Sequence, residues 1–259
     1  SCLAFFLSRT HFREIRDAFA AADILLALGV TPLYFLGFWL RAVRWRQLLR
    51  PVSNVTTGRL YPVVLIGLMA NNIAPLRVGE LVRAFLLGER ESMSKSTALG
   101  TIAVDRAFDG LTLVAILGIV AVFSDTSAGV RGVGIGAAVL FALATTVLVG
   151  LALSPRRARA ALQRIVRLLP GRLAARIEAF LDAFVSGLAA IRSPAAQAAA
   201  AAFSVASWLV EGFMYYLIGQ AFHLDVGFDA YLLILAGANL ALSILQTPGG
   251  VGPFEATTQ

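Results

Sequence analysis

Six long stretches with almost no charge dominate this chain and restrict what it can fold into. Ile24–Leu40 and Leu60–Leu76 each run 17 residues without a charge. Gly132–Pro155 runs 24 and Ala230–Phe254 runs 25. Ser193–Phe222 carries only Glu211, and Ser96–Ser124 is interrupted only by Asp105, Arg106 and Asp109. A spanning helix needs about 20 apolar residues, and most of these stretches are long enough. A bilayer interior admits only helices and closed barrels. None of these runs alternates with the two-residue period of a barrel strand, so helices are expected. The fold class that follows is all-α: a polytopic membrane helix bundle, read as one membrane domain over residues 1–259.

Composition supports this. Of 259 residues, 58% are hydrophobic and 14% charged, whereas ordinary soluble chains carry about 25% charged residues. Cys2 is the single cysteine, which excludes a disulfide framework; with His11 and His223 it makes no metal site, and none is expected. The net charge of +7 reads as loops facing anionic lipid, not as a nucleic-acid surface. Ser1–Ser8 resembles the stump of a further apolar segment, followed by a short amphipathic stretch at His11–Ala22. A signal peptide would carry its basic residues first, yet Arg9, Arg13 and Arg16 come after the apolar run. The chain is therefore read as an excerpt that lacks terminal helices.

Two of the apolar stretches are interrupted in a similar way. Asn71 and Asn72 lead into Pro75, Arg77, Gly79 and Glu80, and Thr247 leads into Pro248, Gly249, Gly250, Gly252 and Glu255. Pro removes a backbone donor and Gly tolerates unusual dihedral angles, so a helix break is expected at each. Paired interruptions in two parts of a chain point to a transporter binding site, whereas ordinary turns at the membrane surface are the plainer alternative. If the two breaks serve one site, they should lie within roughly two helix diameters, about 20 Å, of each other.

Loop charge sets the expected orientation. The connection 154–194 contains eight Arg against Glu178 and Asp182, and is placed in the cytoplasm. Its apolar residues recur every three or four positions, with Pro170-Gly171 between two stretches, which suggests basic amphipathic helices on the membrane surface. A solvated helical pair is the alternative. Arg46, Lys95 and Arg164 are then expected on one side, and Ser127 and Asp225 on the other. That arrangement requires the segment around Pro75 to enter and leave from the same side. If it spanned, the Arg41–Arg50 cluster would face outward.

Charges inside apolar stretches are costly, about 2.5–3.5 kcal/mol each at the bilayer centre on insertion scales. Asp105 and Asp109 are four residues apart, share a helix face and flank Arg106. They are expected to face the bundle interior and to pair with each other's neighbours or with Arg77 and Arg83. Glu211 lies among Trp208, Tyr215 and Tyr216, where a purely structural role is the simpler expectation.

Four motifs occur in order: Arg44-Trp45-Arg46; Asn72-x-x-Pro75-x-Arg77-x-Gly79-Glu80-x-x-Arg83; Asp105-Arg106-x-x-Asp109; and Pro248-Gly249-Gly250-x-Gly252-x-x-Glu255. Together they resemble the transmembrane, flippase-like region of the lysylphosphatidylglycerol synthase family, over nearly the whole chain from about Ala18 onward. Asp105 stands where the family often has Glu. The resemblance implies movement of an anionic or aminoacylated phospholipid, or a related lipid-linked substrate, between leaflets of the cell membrane. The family's soluble synthase domain has no counterpart here. In that picture Arg77, Arg83 and Arg106 bind a lipid phosphate, with Arg77 the main contact. Asn71 and Asn72 add neutral hydrogen bonds, and Glu80, Asp105, Asp109 and Glu255 balance charge or meet a cationic head group.

Two other functions compete. A membrane scaffold would serve a separate synthase or glycosyltransferase. An intramembrane head-group transferase would use Asp105 and Asp109 to hold Mg²⁺. The second lacks support: Asp109-Gly110 does not continue as a CDP-alcohol transferase motif, and no second Asp pair, phosphate-binding loop or nucleophile elbow is present. The expectation is a non-enzyme without a cofactor, partnered by membrane phospholipid.

Overall fold

A computed structural model describes residues 19–74, 78–123, 128–154 and 171–244. Among them are nine α-helices and no strand. They are α1 (Ile24–Gly29), α2 (Thr31–Leu49), α3 (Thr57–Ile73), α4 (Gly79–Arg90), α5 (Lys95–Phe123), α6 (Ala128–Leu153), α7 (Gly171–Gly187), α8 (Pro194–Ala221) and α9 (Phe228–Ile244). A 3₁₀ turn, Leu188–Arg192, joins α7 to α8.

The helix starts follow local chemistry. Asp23 caps α1 by accepting from the Leu26 N–H at 3.0 Å. Ser193 caps α8 ahead of Pro194, a first-turn position where a missing N–H costs nothing. At the other end of α8, the Asp23 N–H donates to the Ala221 carbonyl at 2.8 Å, so the starts of α1 and α2 lie beside the end of α8.

Ile24–Leu49, Gly134–Leu153 and Pro194–Ala221 are long and apolar enough to cross a membrane. α5 has the length, 29 residues, and carries the charged island within it. α3 has 17 residues, about 26 Å, just short of a hydrocarbon layer about 30 Å thick. Many large apolar side chains point outward, among them Leu25, Ile119, Val122 and Leu143, as a lipid-facing surface requires.

The second apolar stretch is interrupted where expected. α3 ends at Ile73 and α4 begins at Gly79, and the two pack as a tight hairpin. A Cβ on Gly79 would come within 2.0 Å of the Gly67 carbonyl oxygen, so only glycine allows this approach. The Gly79 N–H donates to Asn71 Oδ1 at 2.7 Å, which closes the turn. At the open end, Arg59 pairs with Glu91 at 3.3 Å. The hairpin therefore starts and finishes at the same level.

α5 is the central element and touches α2, α4, α6, α7, α8 and α9. Three apolar clusters surround it. Trp45, Leu60, Val63, Leu87 and Ile102 fill the space between α2, α3, α4 and α5. Leu113, Leu117, Ala137, Trp208 and Leu235 join α5, α6, α8 and α9. Leu48, Val104, Ala152, Leu188 and Ala196 close one end of the bundle. At that end α7 lies backbone to backbone on α5: a Cβ on Gly187 would sit 2.2 Å from the Thr97 carbonyl oxygen. Arg192 anchors the following turn by donating from Nε to the Ala152 carbonyl at 2.8 Å, at the end of α6. α7 is thus seated on protein along its C-terminal part, while Leu173 and Phe180 remain exposed. The other expected stretch of the 154–194 connection, 162–169, lies outside the described residues.

Candidate functional site

The charged island on α5 faces inward. Asp105 and Asp109 are four residues, about one turn, apart, so their carboxylates stack on one face. Opposite them stands Arg44 of α2, with no solvent exposure. Arg44 Nε donates to Asp105 Oδ1 at 2.8 Å, and Nη1 donates to Asp109 Oδ1 at 2.6 Å and to Ser204 Oγ of α8 at 2.9 Å. One planar guanidinium therefore bridges two carboxylates, which the point charge of Lys does less well. Arg83 of α4 donates to Asp105 Oδ2 at 3.2 Å and lies over the Trp45 ring, 4.2 Å from its centroid. Trp45 donates to Thr101 Oγ1, and Trp208 donates to Asp109 Oδ1 at 3.1 Å. Arg106 reaches Asp105 at 3.4 Å and Asp109 at 3.0 Å, with its side chain 35% exposed.

Six helix-borne charges meet here, Arg44, Arg83 and Arg106 against Asp105, Asp109 and Glu80, so the cluster is formally neutral. Asp105 and Ser204 each lie ten residues from the starts of α5 and α8, about 15 Å along each helix. The guanidinium groups are not fully used: Arg44 Nη2, Arg83 Nε and Arg106 Nε are buried without a hydrogen-bond partner among the described residues. Glu80 of α4 acts electrostatically on Arg106, and its Oε2 is also unpartnered.

Asp105 and Asp109 are thus buried and charge-paired as the sequence suggests, with Arg83 as one partner. Arg77, the other expected partner, lies outside the described residues, as do Pro75, Pro248, Gly249, Gly250, Gly252 and Glu255. Whether the two breaks meet rests on those residues. Asn71 Oδ1 is engaged with Gly79, and Asn72 is exposed. Gly79 closes the break on its far side, as the first residue of α4.

Sequence reasoning missed Arg44 as the centre of the network. It ended the first apolar segment at Leu40 and treated Arg41–Arg50 as a loop-side basic cluster. The helix instead continues to Leu49. The 4-3-4 spacing of Gly37, Arg41, Arg44 and Leu48 marks one buried face and was the available signal. The same continuation places Arg41 beside Glu211, at 2.5 Å, and over the Trp208 ring at 4.4 Å. Arg44 stands between the two carboxylates. Among the described residues, no group of three or more His, Cys, Asp or Glu side chains is placed to hold a metal.

The comparisons with known proteins agree with the geometry. The family described as the lysylphosphatidylglycerol synthase TM region matches residues 1–259. A UPF0104 membrane protein of Methanothermobacter thermautotrophicus is 30% identical over 93% of this chain and 76% of its own length. Glycosyltransferase AglD of Haloferax volcanii is 27% identical over 93% of this chain but only 44% of its own length. No solved structure matches. A helical membrane bundle with an Arg-rich polar centre, matched from end to end, belongs to the family of the lysylphosphatidylglycerol synthase transmembrane region.

Proposed function

We propose that this chain moves an anionic or aminoacylated phospholipid, or a related lipid-linked substrate, between leaflets of the cell membrane. The observation that carries this reading is the cluster of three inward-facing Arg around Asp105 and Asp109, with guanidinium nitrogens unpartnered among the described residues. Asp105 and Asp109 are held by Arg44, so Arg44 is the fixed base of the site. Arg106, one-third exposed, and Arg83 present the remaining donors to a phosphate, with Arg77 as a further contact at the hairpin turn. Glu80 balances charge or meets a cationic head group. In this reading the chain makes no covalent bond and acts through binding and movement alone. The connection 154–194, Arg46, Lys95 and the open end of the α3–α4 hairpin face the cytoplasm.

Reconstituted vesicles with fluorescent phosphatidylglycerol, followed by external dithionite quenching, test the proposal. Arg106→Gln should slow lipid movement at least tenfold while the protein stays folded, since its side chain already borders open space. Normal movement by Arg106→Gln would sink the reading. The match to less than half of a relative named a glycosyltransferase favours a second reading, a membrane part that serves a separate transferase. Co-purification of such a partner, with no lipid movement by the isolated chain, would support that alternative.

A further inference from the structure

A second feature lies at the far end of the bundle, away from the ionic centre. A groove of about 760 Å³ opens between α1, α2, α8 and α9, with walls that include Ala27, Tyr34, Ile218, Phe222, Tyr231 and Ile234. Its volume falls within the 300–1,000 Å³ typical of small-molecule sites. Among the described residues, no charged one lines it. Its rim carries Leu25, Leu28 and Phe35 outward, on the lipid-facing surface. One polar atom stands out. The Tyr231 hydroxyl is buried without a hydrogen-bond partner among the described residues, in a side chain only 7% exposed.

An interfacial tyrosine ordinarily keeps its hydroxyl in water. Tyr231 does not. Its ring packs edge-on against Tyr216 at 5.9 Å, and its hydroxyl is turned onto Gly219 of α8. A Cβ at Gly219 would meet that oxygen at 1.8 Å, so glycine leaves the space the phenol occupies. A buried hydroxyl without a partner is costly, and such a group calls for a ligand acceptor.

Depth identifies that acceptor. Tyr231 is in the first turn of α9, which begins at Phe228 directly after the His223–Gly227 connection. One turn below a polar loop is the level at which head groups give way to acyl carbon. We propose that the groove seats one acyl chain and the glycerol-ester region of a phospholipid, and that seating it moves the Tyr231 ring off Gly219 so that the hydroxyl donates to an ester carbonyl oxygen. The site is a lipid seat at the end of the bundle remote from the 154–194 connection. On the same faces, Tyr34 is seven residues from Arg41, and Tyr215 is four from Glu211. The groove thus runs toward the Arg41–Glu211 pair and the ionic centre behind it. The inference rests on the lipid-handling reading for its class of ligand, but it concerns binding, not movement.

The test is lipid retention by the full chain. Protein is embedded in nanodiscs holding equal amounts of diester and diether phosphatidylglycerol of matched chain length. It is then extracted in mild detergent, and the retained lipids are measured by mass spectrometry. An ether oxygen is a poorer acceptor than a carbonyl. The diester should therefore be enriched about fivefold, the effect of one neutral hydrogen bond. Tyr231→Phe should bring the ratio to about one while total retention falls little. Ala27→Trp, which fills the groove, should reduce retention of both lipids together. A ratio of one in the unaltered protein, an unchanged ratio in Tyr231→Phe, or full retention in Ala27→Trp would each overturn the proposal. So would capture of the groove by residues 1–18, revealed by crosslinks from Ala27→Cys to that segment in lipid-free protein that persist when lipid is restored. Retention is an equilibrium property. A chain that moves no lipid can still pass this test, and one that moves lipid can still fail it.

Discussion

The acids on α5 and the acid on α8 occupy similar positions in long apolar helices, yet they are handled differently. Asp105 and Asp109 are sealed in: Arg44 and Arg106 each bridge both, Arg83 adds a contact to Asp105, and Ser204 and Trp208 complete the shell. Glu211 meets a single cation, Arg41, with side chains 27% and 15% exposed. The difference shows that an intramembrane acid does not have one role. The α5 acids tie α2, α4 and α8 to the central helix through three Arg, with Glu80 of α4 acting on Arg106. The Glu211 pair is locally neutral, holds α2 to α8 alone, and borders the apolar groove through Tyr34 and Tyr215.

The comparison is broken most strongly at Arg44. Arg44→Leu leaves two carboxylates buried, with Asp109 losing its shortest contact. Removing one partner of a buried ion pair costs about 3–5 kcal/mol, and this Arg serves two. The expected outcome is severe loss of folded protein, measured as a lowered unfolding midpoint in mixed detergent–SDS micelles. Adding Asp109→Asn should recover part of the loss, because one orphaned charge disappears and the two changes share a partner. A single variant as stable as the parent would mean that the bridge is not what holds α2 to α5.

A smaller effect is expected at the α8 pair. Glu211→Gln keeps the shape and a hydrogen-bond acceptor, and Arg41 retains the Trp208 face beneath it. The loss should be about 1 kcal/mol, that of a charge-assisted hydrogen bond exchanged for a neutral one. The same unfolding midpoint measures it. A loss matching that of Arg44→Leu would erase the distinction drawn between the two sites.

Much of the architecture was legible because its causes are local. Apolar runs longer than a bilayer demand helices, and the Asn71–Glu80 stretch carries its break in its own backbone chemistry. The inward turn of Asp105 and Asp109 followed from the cost of exposing charge to lipid, and Arg83 followed as a nearby cation. Arg44 and Arg41 were not legible from hydropathy, because a window that ends at the first Arg cuts the helix where its most important residues begin. Their partners lie 61, 65 and 170 residues away, and only the packed bundle brings them together. The docking of α7 was hidden for another reason. An amphipathic pattern shows that a face is buried but not whether lipid or protein covers it, and the close contact of Gly100 with Gly187 puts protein against the C-terminal end of α7.

The smallest energetic effect carries the most topological information. Arg59 and Glu91 form an exposed pair at 3.3 Å, with the Arg59 side chain 70% exposed. A double-mutant cycle with Ala at both positions should give a coupling of only about 0–1 kcal/mol, which salt would weaken further. The pair nonetheless reports that α3 begins where α4 ends. If the hairpin enters and leaves the membrane from one side, single cysteines at 59 and 95 must share that side. In a Cys2→Ser background, Arg59→Cys and Lys95→Cys should both escape an impermeant maleimide applied to intact cells, and both react once the membrane is opened. A cysteine at Asp225, beyond α8, should react from outside. Reaction of position 59 but not 95 in intact cells would make the Thr57–Arg90 stretch a crossing. It would also place the open end of the hairpin on a different side from the start of α5, and so separate the ionic centre from the orientation that loop charge assigns to it.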